Sequence, residues 1–405
     1  MAAFENKASR RTLVEFYDIQ YLENIISLLR GRYSGVVYFY FSRANEPTEE
    51  DRQALTEYVH NNFGFEPDFR EIKENTVDCA LKSFRTLVNN GGVYDFDLTG
   101  GSSVFIAAAG ALAVNDGGKR VFLHEYDPAS GKRIFSYPEN VSTPEGRRVS
   151  LTVDHVLALR GIEILSQRDQ IRYQLEQNNL RGEIYRLWDA IRGEFKNWNS
   201  INGLPVSSAY KRNHYSVQKK LTDDQAKNCK KLLINLSRRQ IISDLPYPLP
   251  ENNFFLTCRL NIPENAKHLY EKAGNILEML TYAAAADSGC FTDYCTGISL
   301  DWDNSDRFGS NDPKNEIDVV LTRDHIPYFV SCKNTEVTNA FMYEIMIMAK
   351  HFGGKYAVPA LVCSAECDSY LHVRAKEMGV VLIDDVAKLS AQEFTEKLSC
   401  ALGGN

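Results

Sequence analysis

In the N-terminal part of the chain, short apolar runs alternate with longer segments in which apolar residues recur every three or four positions. The runs at 13–17, 35–41 and 93–97 are rich in Val, Phe and Tyr, which predicts strands. The segments between them predict helices, such as 48–63, where Thr48 is a candidate cap. This alternation predicts an α/β domain whose mainly parallel sheet is covered on both faces.

A glycine-rich turn follows the strand 93–97 in the sequence Asp-Leu-Thr-Gly-Gly-Ser-Ser at 97–103. Its two glycines allow a tight turn, and hydroxyl side chains open the small-residue helix that follows. Backbone N–H groups at a helix N-terminus attract phosphate, and open α/β sheets bind ligands at the carboxyl ends of their strands. The turn therefore predicts a phosphate site; the alternative is a turn that binds nothing. It is neither a Walker A loop nor a GxGxxG fingerprint, so ATP and dinucleotide cofactors are not supported.

These features resemble the CARF sensor domains of CRISPR-associated proteins over about residues 11–148. The resemblance rests on a first strand that ends in Tyr17-Asp18-Ile19 and a later strand that runs into Thr99-Gly100-Gly101. It implies a homodimer that binds a cyclic oligoadenylate, with cyclic tetra-adenylate as the expected activator. The ligand contacts that it implies follow three of the predicted strands: Asp18, Ile19, Gln20, Ser42, Arg43, Thr99, Gly100, Gly101 and Ser102.

The middle of the chain, 149–263, predicts a connecting helical region with a strand at 157–164 and a charged amphipathic helix over 167–195. Within 210–240, nine basic residues are opposed by only two aspartates. This segment predicts a surface that follows a phosphate backbone; the alternative is a solvated helix face. The nine residues are Lys211, Arg212, Lys219, Lys220, Lys227, Lys230, Lys231, Arg238 and Arg239.

The C-terminal part predicts a long helix over 264–286, followed by strands and further helices. The helix carries Glu278, one strand carries Asp318 inside an apolar run, and the paired strand ends at Lys333. Phosphodiester cleavage needs oxygen ligands for Mg²⁺ or Mn²⁺, an activated water and a cation near the phosphate. A buried carboxylate is costly unless it is paired or metal-bound, and burial can lower the pKa of a lysine. These residues predict a metal-dependent phosphodiesterase; the alternative is an internal ion pair bracing a β-hairpin.

Three motifs in this part resemble those of the PD-(D/E)xK restriction-endonuclease-like superfamily: Gly274-x-x-x-Glu278, Glu316-Ile-Asp-Val-Val320 and Ser331-Cys-Lys333. The resemblance covers about residues 265–385. It implies that Glu278, Asp318 and the carbonyl group of Cys332 ligate the metal. It also implies that Lys333 orients and activates the attacking water.

The resemblance is incomplete at Ser331, where the superfamily usually has a carboxylate two residues before the lysine. A serine hydroxyl is a neutral, weaker ligand, which puts a two-metal site in doubt. Glu316 lies two residues before Asp318 and therefore on the same strand face, so it can supply the missing carboxylate. Asn334 and Glu344 are further candidates.

Composition indicates the class of protein and the compartment in which we expect it. The net charge is −7 and 44% of the residues are hydrophobic, so the chain is an ordinary globular protein without a general basic coat. The polar segment 1–11 does not resemble a signal peptide, and no apolar run reaches the roughly 18 residues of a membrane span. Nine scattered cysteines fit reduced thiols, so we expect a cytoplasmic protein with no membrane partner.

Together, the patterns predict three regions: a CARF-like nucleotide sensor at 1–148, the connecting region at 149–263 and a nuclease domain at 264–405. Both resemblances imply a CRISPR ancillary nuclease that is activated by a cyclic oligoadenylate and cleaves single-stranded DNA or RNA, with nicking of duplex DNA as a further activity. Two alternatives stay open. One is a catalytically weak effector that binds nucleic acid; the other is a ring nuclease that degrades the cyclic oligoadenylate itself.

Overall fold

The computed structural model divides the chain into two compact units. The N-terminal unit is Met1–Glu163 with Asp324–Ile326 and Phe352–Tyr356, and the C-terminal unit is Ile164–Arg323, Pro327–His351 and Ala357–Asn405. The structure describes residues 11–42, 45–139, 149–162, 164–166, 175, 179–204, 214–246, 248–250, 252–301 and 314–403. The three predicted regions, with their boundaries at 149 and 264, stay a prediction.

The N-terminal unit alternates strands and helices as its sequence predicts. Its elements are β1 (Arg11–Phe16), α1 (Ile26–Arg30), β2 (Gly35–Phe41), α2 (Glu49–Phe63), β3 (Asp68–Ile72), α3 (Val77–Asn89), β4 (Val93–Asp97), α4 (Ser103–Asp116), β5 (Val121–Asp127), β6 (Lys132–Tyr137) and α5 (Val153–Leu159). They form one sheet of order β3-β2-β1-β4-β5-β6, parallel except for β6. The α/β prediction for this part is confirmed.

Both faces of this sheet are covered by helices. Successive side chains of each strand point to opposite sides, and here both sets include apolar residues that pack against helices. In the central strand β1, Val14 and Phe16 join a buried cluster with residues of α3 and α4. Leu13 points the other way and joins a cluster with residues of α1, α2 and α5. The sheet thus presents its strand ends, and not its faces, to a ligand.

The C-terminal unit is built on a second six-stranded sheet, of order β15-β14-β13-β12-β11-β7. Its strands are β7 (Ile164–Ser166), β11 (Asp293–Asp301), β12 (Lys314–Arg323), β13 (Ile326–Lys333), β14 (Val358–Cys363) and β15 (Val381–Ile383). Its helices are α6 (Leu180–Ile191), α7 (Phe195–Ser200), α8 (Asp223–Asn228), α9 (Lys230–Arg238), α10 (His268–Glu271), α11 (Asn275–Ser288), α12 (Asn339–Gly353), α13 (Ser369–Met378) and α14 (Ala391–Gly403).

A three-stranded antiparallel sheet completes this unit, with order β8-β10-β9. It consists of β8 (Tyr215–Leu221), β9 (Ile242–Ser243) and β10 (Phe254–Leu260). One face of the sheet joins the same buried cluster as α9 and α11. The interpretation of 210–240 as a basic surface or a solvated helix face did not include these strands.

Two local predictions differ from the structure. The expected strand at 157–164 is not one strand: residues 157–159 are the end of α5, which begins at a capping box between Thr152 and His155, and the short β7 begins only at Ile164. The expected helix over 264–286 is two helices, because Lys272 adopts an extended conformation between α10 and α11. Among the described helices, none combines the length and hydropathy that crossing a bilayer requires.

Candidate functional site

In the C-terminal unit, five predicted polar residues line one small cavity of about 40 Å³. Strand β12 contributes Glu316 and Asp318, and β13 contributes Ser331 and Lys333. Helix α12 adds Glu344 from the opposite wall. The structure therefore brings three carboxylates, one hydroxyl and one lysine to the same place, although they lie up to 28 positions apart in sequence.

Asp318 is held firmly within this cavity. Its Oδ2 accepts hydrogen bonds from the backbone N–H of Cys332 at 2.6 Å and from the hydroxyl of Ser331 at 3.1 Å. Burial raises the pKa of Asp318 and the nearby Glu316 raises it further, while the two hydrogen bonds and the charge of Lys333 oppose the shift. A carboxylate that is costly to ionise in this way gains from a neighbouring cation.

Lys333 lies beside the aromatic ring of Phe341, with its ammonium nitrogen 4.7 Å from the ring centroid. Among the described residues, its ammonium group forms no ion pair within 4.0 Å, so the predicted alternative of a bracing Asp318–Lys333 pair is not what the structure contains. The cation is thus oriented by an aromatic face and keeps its N–H donors available to a phosphate or a water.

Glu278 approaches Asp318 from helix α11 and is not among the residues lining the cavity. The hydroxyl of Thr296 links the two, since it lies 3.1 Å from Glu278 Oε1 and 2.9 Å from the backbone carbonyl oxygen of Asp318. The described residues contain no ready-made cluster of three or more His, Cys, Asp or Glu side chains around a metal position. Two carboxylates and a backbone carbonyl group, the ligand set implied by the superfamily resemblance, do not amount to such a cluster.

In the N-terminal unit, the predicted ligand residues follow β1 and β4, which are parallel neighbours. The turn after β1 is held by Asn24, whose amide oxygen accepts from the N–H of Asp18 at 2.7 Å and whose amide nitrogen donates to its carbonyl at 2.7 Å. The side chain of Ile19 is 68% exposed. Gln20 completes the turn, with its N–H bonded to the Asp18 carboxylate at 2.8 Å.

The hydroxyl groups of the second turn are used internally. Thr99 Oγ1 donates to Asp97 and accepts from the N–H of Tyr126 at 2.8 Å. The hydroxyl of Ser102 caps helix α4. By contrast, the N–H groups of Gly100 and Gly101 have no acceptor among the described residues. Backbone donors, and not hydroxyls, are therefore what this turn offers to an anion.

Gly101 is required by the geometry of this turn. Its φ of +104° is unfavourable for any other residue, and a Cβ there would lie 3.0 Å from the Cβ of Phe16. Of the contacts predicted after β2, Ser42 donates to the carboxylate of Glu71, and Arg43 lies outside the described residues.

A cavity of about 390 Å³ lies beside the first turn. It is lined by Tyr17, Asp18 and Ile19 together with residues such as Asn45 and Arg160. Its volume lies within the usual range for small-molecule sites. The sequence analysis did not predict this cavity, because its walls come from segments far apart in the chain.

A buried polar cluster supports the turn after β4, and it was not predicted from the sequence. His124 lies 2.7 Å from Asp95 through Nδ1 and 2.7 Å from Ser27 through Nε2, and Ser27 donates to Asp97. Burial lowers the pKa of His124, but the charges of Asp95 and Asp97 outweigh it, so the pKa is raised overall. These residues are at most 1% exposed, so they support the turn and cannot act as a hydrolytic triad. The sequence signal was two aspartates inside the apolar strand 93–97.

No protein-family model matches the chain, and no curated protein matches it by sequence. Two solved structures are similar over nearly its whole length. Protein VC1899 from Vibrio cholerae has a TM-score of 0.68 at 18% identity, covering 98% of this chain and 100% of that one. Can2 from Sulfobacillus thermosulfidooxidans, solved in complex with cyclic tetra-adenylate, has a TM-score of 0.62 at 14% identity, covering 98% of each chain. The predicted fold class is thereby confirmed.

Proposed function

We propose that this chain is a metal-dependent nuclease of CRISPR antiviral defence that is activated by a cyclic oligoadenylate. The observation that carries the proposal is the cavity shared by Glu316, Asp318, Ser331, Lys333 and Glu344. The fold adds support, because Can2, similar over 98% of this chain, was solved with cyclic tetra-adenylate. We therefore propose cyclic tetra-adenylate as the activator.

The donor set suits a hard cation, because it consists of oxygen atoms. Asp318 would hold Mg²⁺ or Mn²⁺, with Glu278 and the carbonyl group of Cys332 as the further ligands that the superfamily resemblance implies. Glu316 and Glu344 line the same cavity and can replace the carboxylate missing at position 331. When bound, such an ion polarises the phosphate and lowers the pKa of a coordinated water.

Two side chains of the cavity have roles of their own. Lys333 is free to donate to the scissile phosphate or to the attacking water, which it would orient. Ser331 donates to Asp318 and so fixes the orientation of that carboxylate, which is a supporting role and not that of a metal ligand. The substrate class that we propose is single-stranded DNA or RNA.

In the N-terminal unit, the free N–H groups of Gly100 and Gly101 would bind phosphate groups of the activator. Asp18, Ile19 and Gln20 would lie beside them, and the cavity of about 390 Å³ next to Asp18 has room for a nucleobase. We propose that two chains share one activator, as the resemblance to CARF domains implies. Binding would then shift the nuclease toward an active arrangement.

The proposal is tested by incubating a labelled single strand with Mn²⁺, with and without cyclic tetra-adenylate. We expect cleavage that depends on the activator and is abolished by EDTA. Lys333→Ala and Asp318→Ala should each lower the rate by at least about 100-fold, the usual effect of removing such a group. Lys350→Ala, an exposed lysine of α12, should cleave at the wild-type rate.

Each other result has a definite meaning. Wild-type cleavage by both Lys333→Ala and Asp318→Ala would disprove the assigned active site. Cleavage without activator would support the proposed nuclease activity and contradict its proposed regulation by the cyclic oligoadenylate. Folded protein that cleaves no strand would favour the catalytically weak effector. Degradation of the activator during incubation with the Lys333→Ala variant would reveal a ring nuclease.

A further inference from the structure

The ribbon of β8 and β10 leaves one complete face exposed. Cross-strand pairs place three residues of each strand on this face: Ser216, Gln218, Lys220, Phe255, Thr257 and Arg259. All six are exposed, whereas the residues that alternate with them on β10 are buried in the core of the C-terminal unit. The register therefore selects which residues of the basic segment reach the surface.

Phe255 is the unusual member of this face. Its side chain is 68% exposed and its cross-strand partner is Lys220. An exposed phenylalanine on a strand contributes little to the core, and polar residues usually occupy the outer face of a half-buried sheet. An aromatic ring among basic and amide side chains on an open sheet face is the arrangement that proteins use to stack single-stranded bases.

The charges of the face fit the same ligand. Lys220 and Arg259 are its only ionisable members, so the six residues include no carboxylate. Asp244 lies 2.7 Å from Arg259 and offsets part of its charge, whereas Lys220 forms no ion pair within 4.0 Å among the described residues. In a chain of net charge −7, this face therefore keeps a positive charge next to an exposed ring. Unpaired, flexible nucleic acid satisfies both features, because duplex bases are not free to stack on a side chain.

We propose that the outer face of the β8–β10 ribbon binds a single strand of nucleic acid, with Phe255 stacking against a base and Lys220 contacting the phosphate backbone. The inference rests on the proposed nuclease function, because it assigns to this face the strand that the C-terminal unit cuts. Thr257 and Gln218, paired across the ribbon, supply hydrogen-bonding groups between the two basic ends.

The test measures binding separately from cleavage. Full-length Lys333→Ala protein is titrated against labelled single-stranded DNA and RNA by fluorescence anisotropy, at salt concentrations from 50 to 200 mM. Adding Phe255→Ala should weaken binding by about 5- to 100-fold, as expected for losing one stacked base. Phe255→Trp should retain affinity. Adding Lys220→Ala should reduce the slope of log affinity against log salt by about 0.7, the value for one phosphate contact on a single strand.

Phe135→Ala provides the matched control, since Phe135 is also an exposed phenylalanine on a strand but lies in the N-terminal unit. Equal affinity of the Phe255→Ala and parent proteins would overturn the proposal, as would undetectable binding of any single strand or equal binding of duplex. A change of oligomeric mass in Phe255→Ala without a change in affinity would assign the face to a second copy of the chain. Wild-type cleavage is measured in parallel, so Phe255-dependent binding without cleavage would count against the nuclease alone.

Discussion

At the scale of single residues, Asp318 is held in one orientation within the cavity that we propose to bind a cation. The backbone of Cys332 and the hydroxyl of Ser331 hold its carboxylate in one orientation. Burial nevertheless raises its pKa, so ionisation is less favourable in the folded protein without a metal than for an exposed aspartate. Ionisation of Asp318 thus lowers the stability of the metal-free fold, and a cation bound next to the carboxylate would be favourable.

The first residue-scale prediction concerns stability and pH. The pKa of Asp318 is higher in the folded chain than its ordinary value of 3.8, so its ionisation makes the metal-free protein less stable as pH rises above that value. Asp318→Asn removes the charge but keeps an acceptor for Cys332. We expect its thermal midpoint at pH 7 to exceed that of wild type by about 1 to 3 °C, with the difference vanishing below about pH 4.

Thermal denaturation with added Mn²⁺ provides the control. Mn²⁺ should raise the midpoint of the wild-type protein and leave that of Asp318→Asn nearly unchanged, because a ligand that binds only the folded state stabilises it. A lower midpoint for Asp318→Asn at pH 7 without metal would show that the charge is well paired in the folded chain.

At the scale of elements, the turn between β4 and α4 combines a fixed backbone with unused donors. Asp97, Thr99 and Tyr126 hold it through side-chain hydrogen bonds, so the hydroxyl groups that looked like ligand contacts in the sequence have structural partners. The backbone N–H groups of Gly100 and Gly101 remain available. We therefore expect this turn to bind the activator through its backbone, so that substitution of its glycines weakens binding more than substitution of its hydroxyl residues.

Gly101→Ala tests this element. The alanine backbone would have to keep a φ of +104°, and the new Cβ would lie 3.0 Å from the Cβ of Phe16. We therefore expect the N-terminal unit to lose about 1 to 3 kcal/mol of stability. Binding of cyclic tetra-adenylate, measured by calorimetry, should weaken at least about tenfold. Gly110→Ala is the control: it lies inside α4 with open space around its Cβ, so it should be neutral or stabilising by up to about 1 kcal/mol. Unchanged activator binding by folded Gly101→Ala would exclude this turn from the site.

At the scale of the whole molecule, the proposed function assigns ligand sensing to the N-terminal unit and catalysis to the C-terminal unit, and we expect two chains to act together. Calorimetric titration with cyclic tetra-adenylate should give one ligand per two chains, and light scattering should give twice the 45.9 kDa mass of the chain. The physical reason is symmetry, since a dimer axis places the same turn from each chain on one ring-shaped ligand. A ratio of one ligand per chain in a monomer would rule out the shared site.

The sequence by itself determined the class of the fold and indicated the residues that we propose as the catalytic group. Alternating apolar runs and amphipathic segments depend only on local periodicity, which is why β1, β2, β4 and α2 lie close to their predicted positions. Asp318 and Lys333 stood out because a charge in or next to an apolar run is costly to bury unless it is paired or metal-bound. The two glycines at 100 and 101 could also be recognised from the sequence, because adjacent glycines after a strand indicate a tight turn.

Only the tertiary structure decided which of these residues meet and which groups remain free. It placed Glu344 with Asp318, left Glu278 outside the cavity, and assembled Ser27, Asp95 and His124 from three separate elements. It also formed the β8–β10 ribbon from strands more than 30 positions apart, and thereby exposed Phe255. The pairing of distant strands and the occupancy of hydrogen-bond donors depend on long-range packing, which local periodicity does not encode.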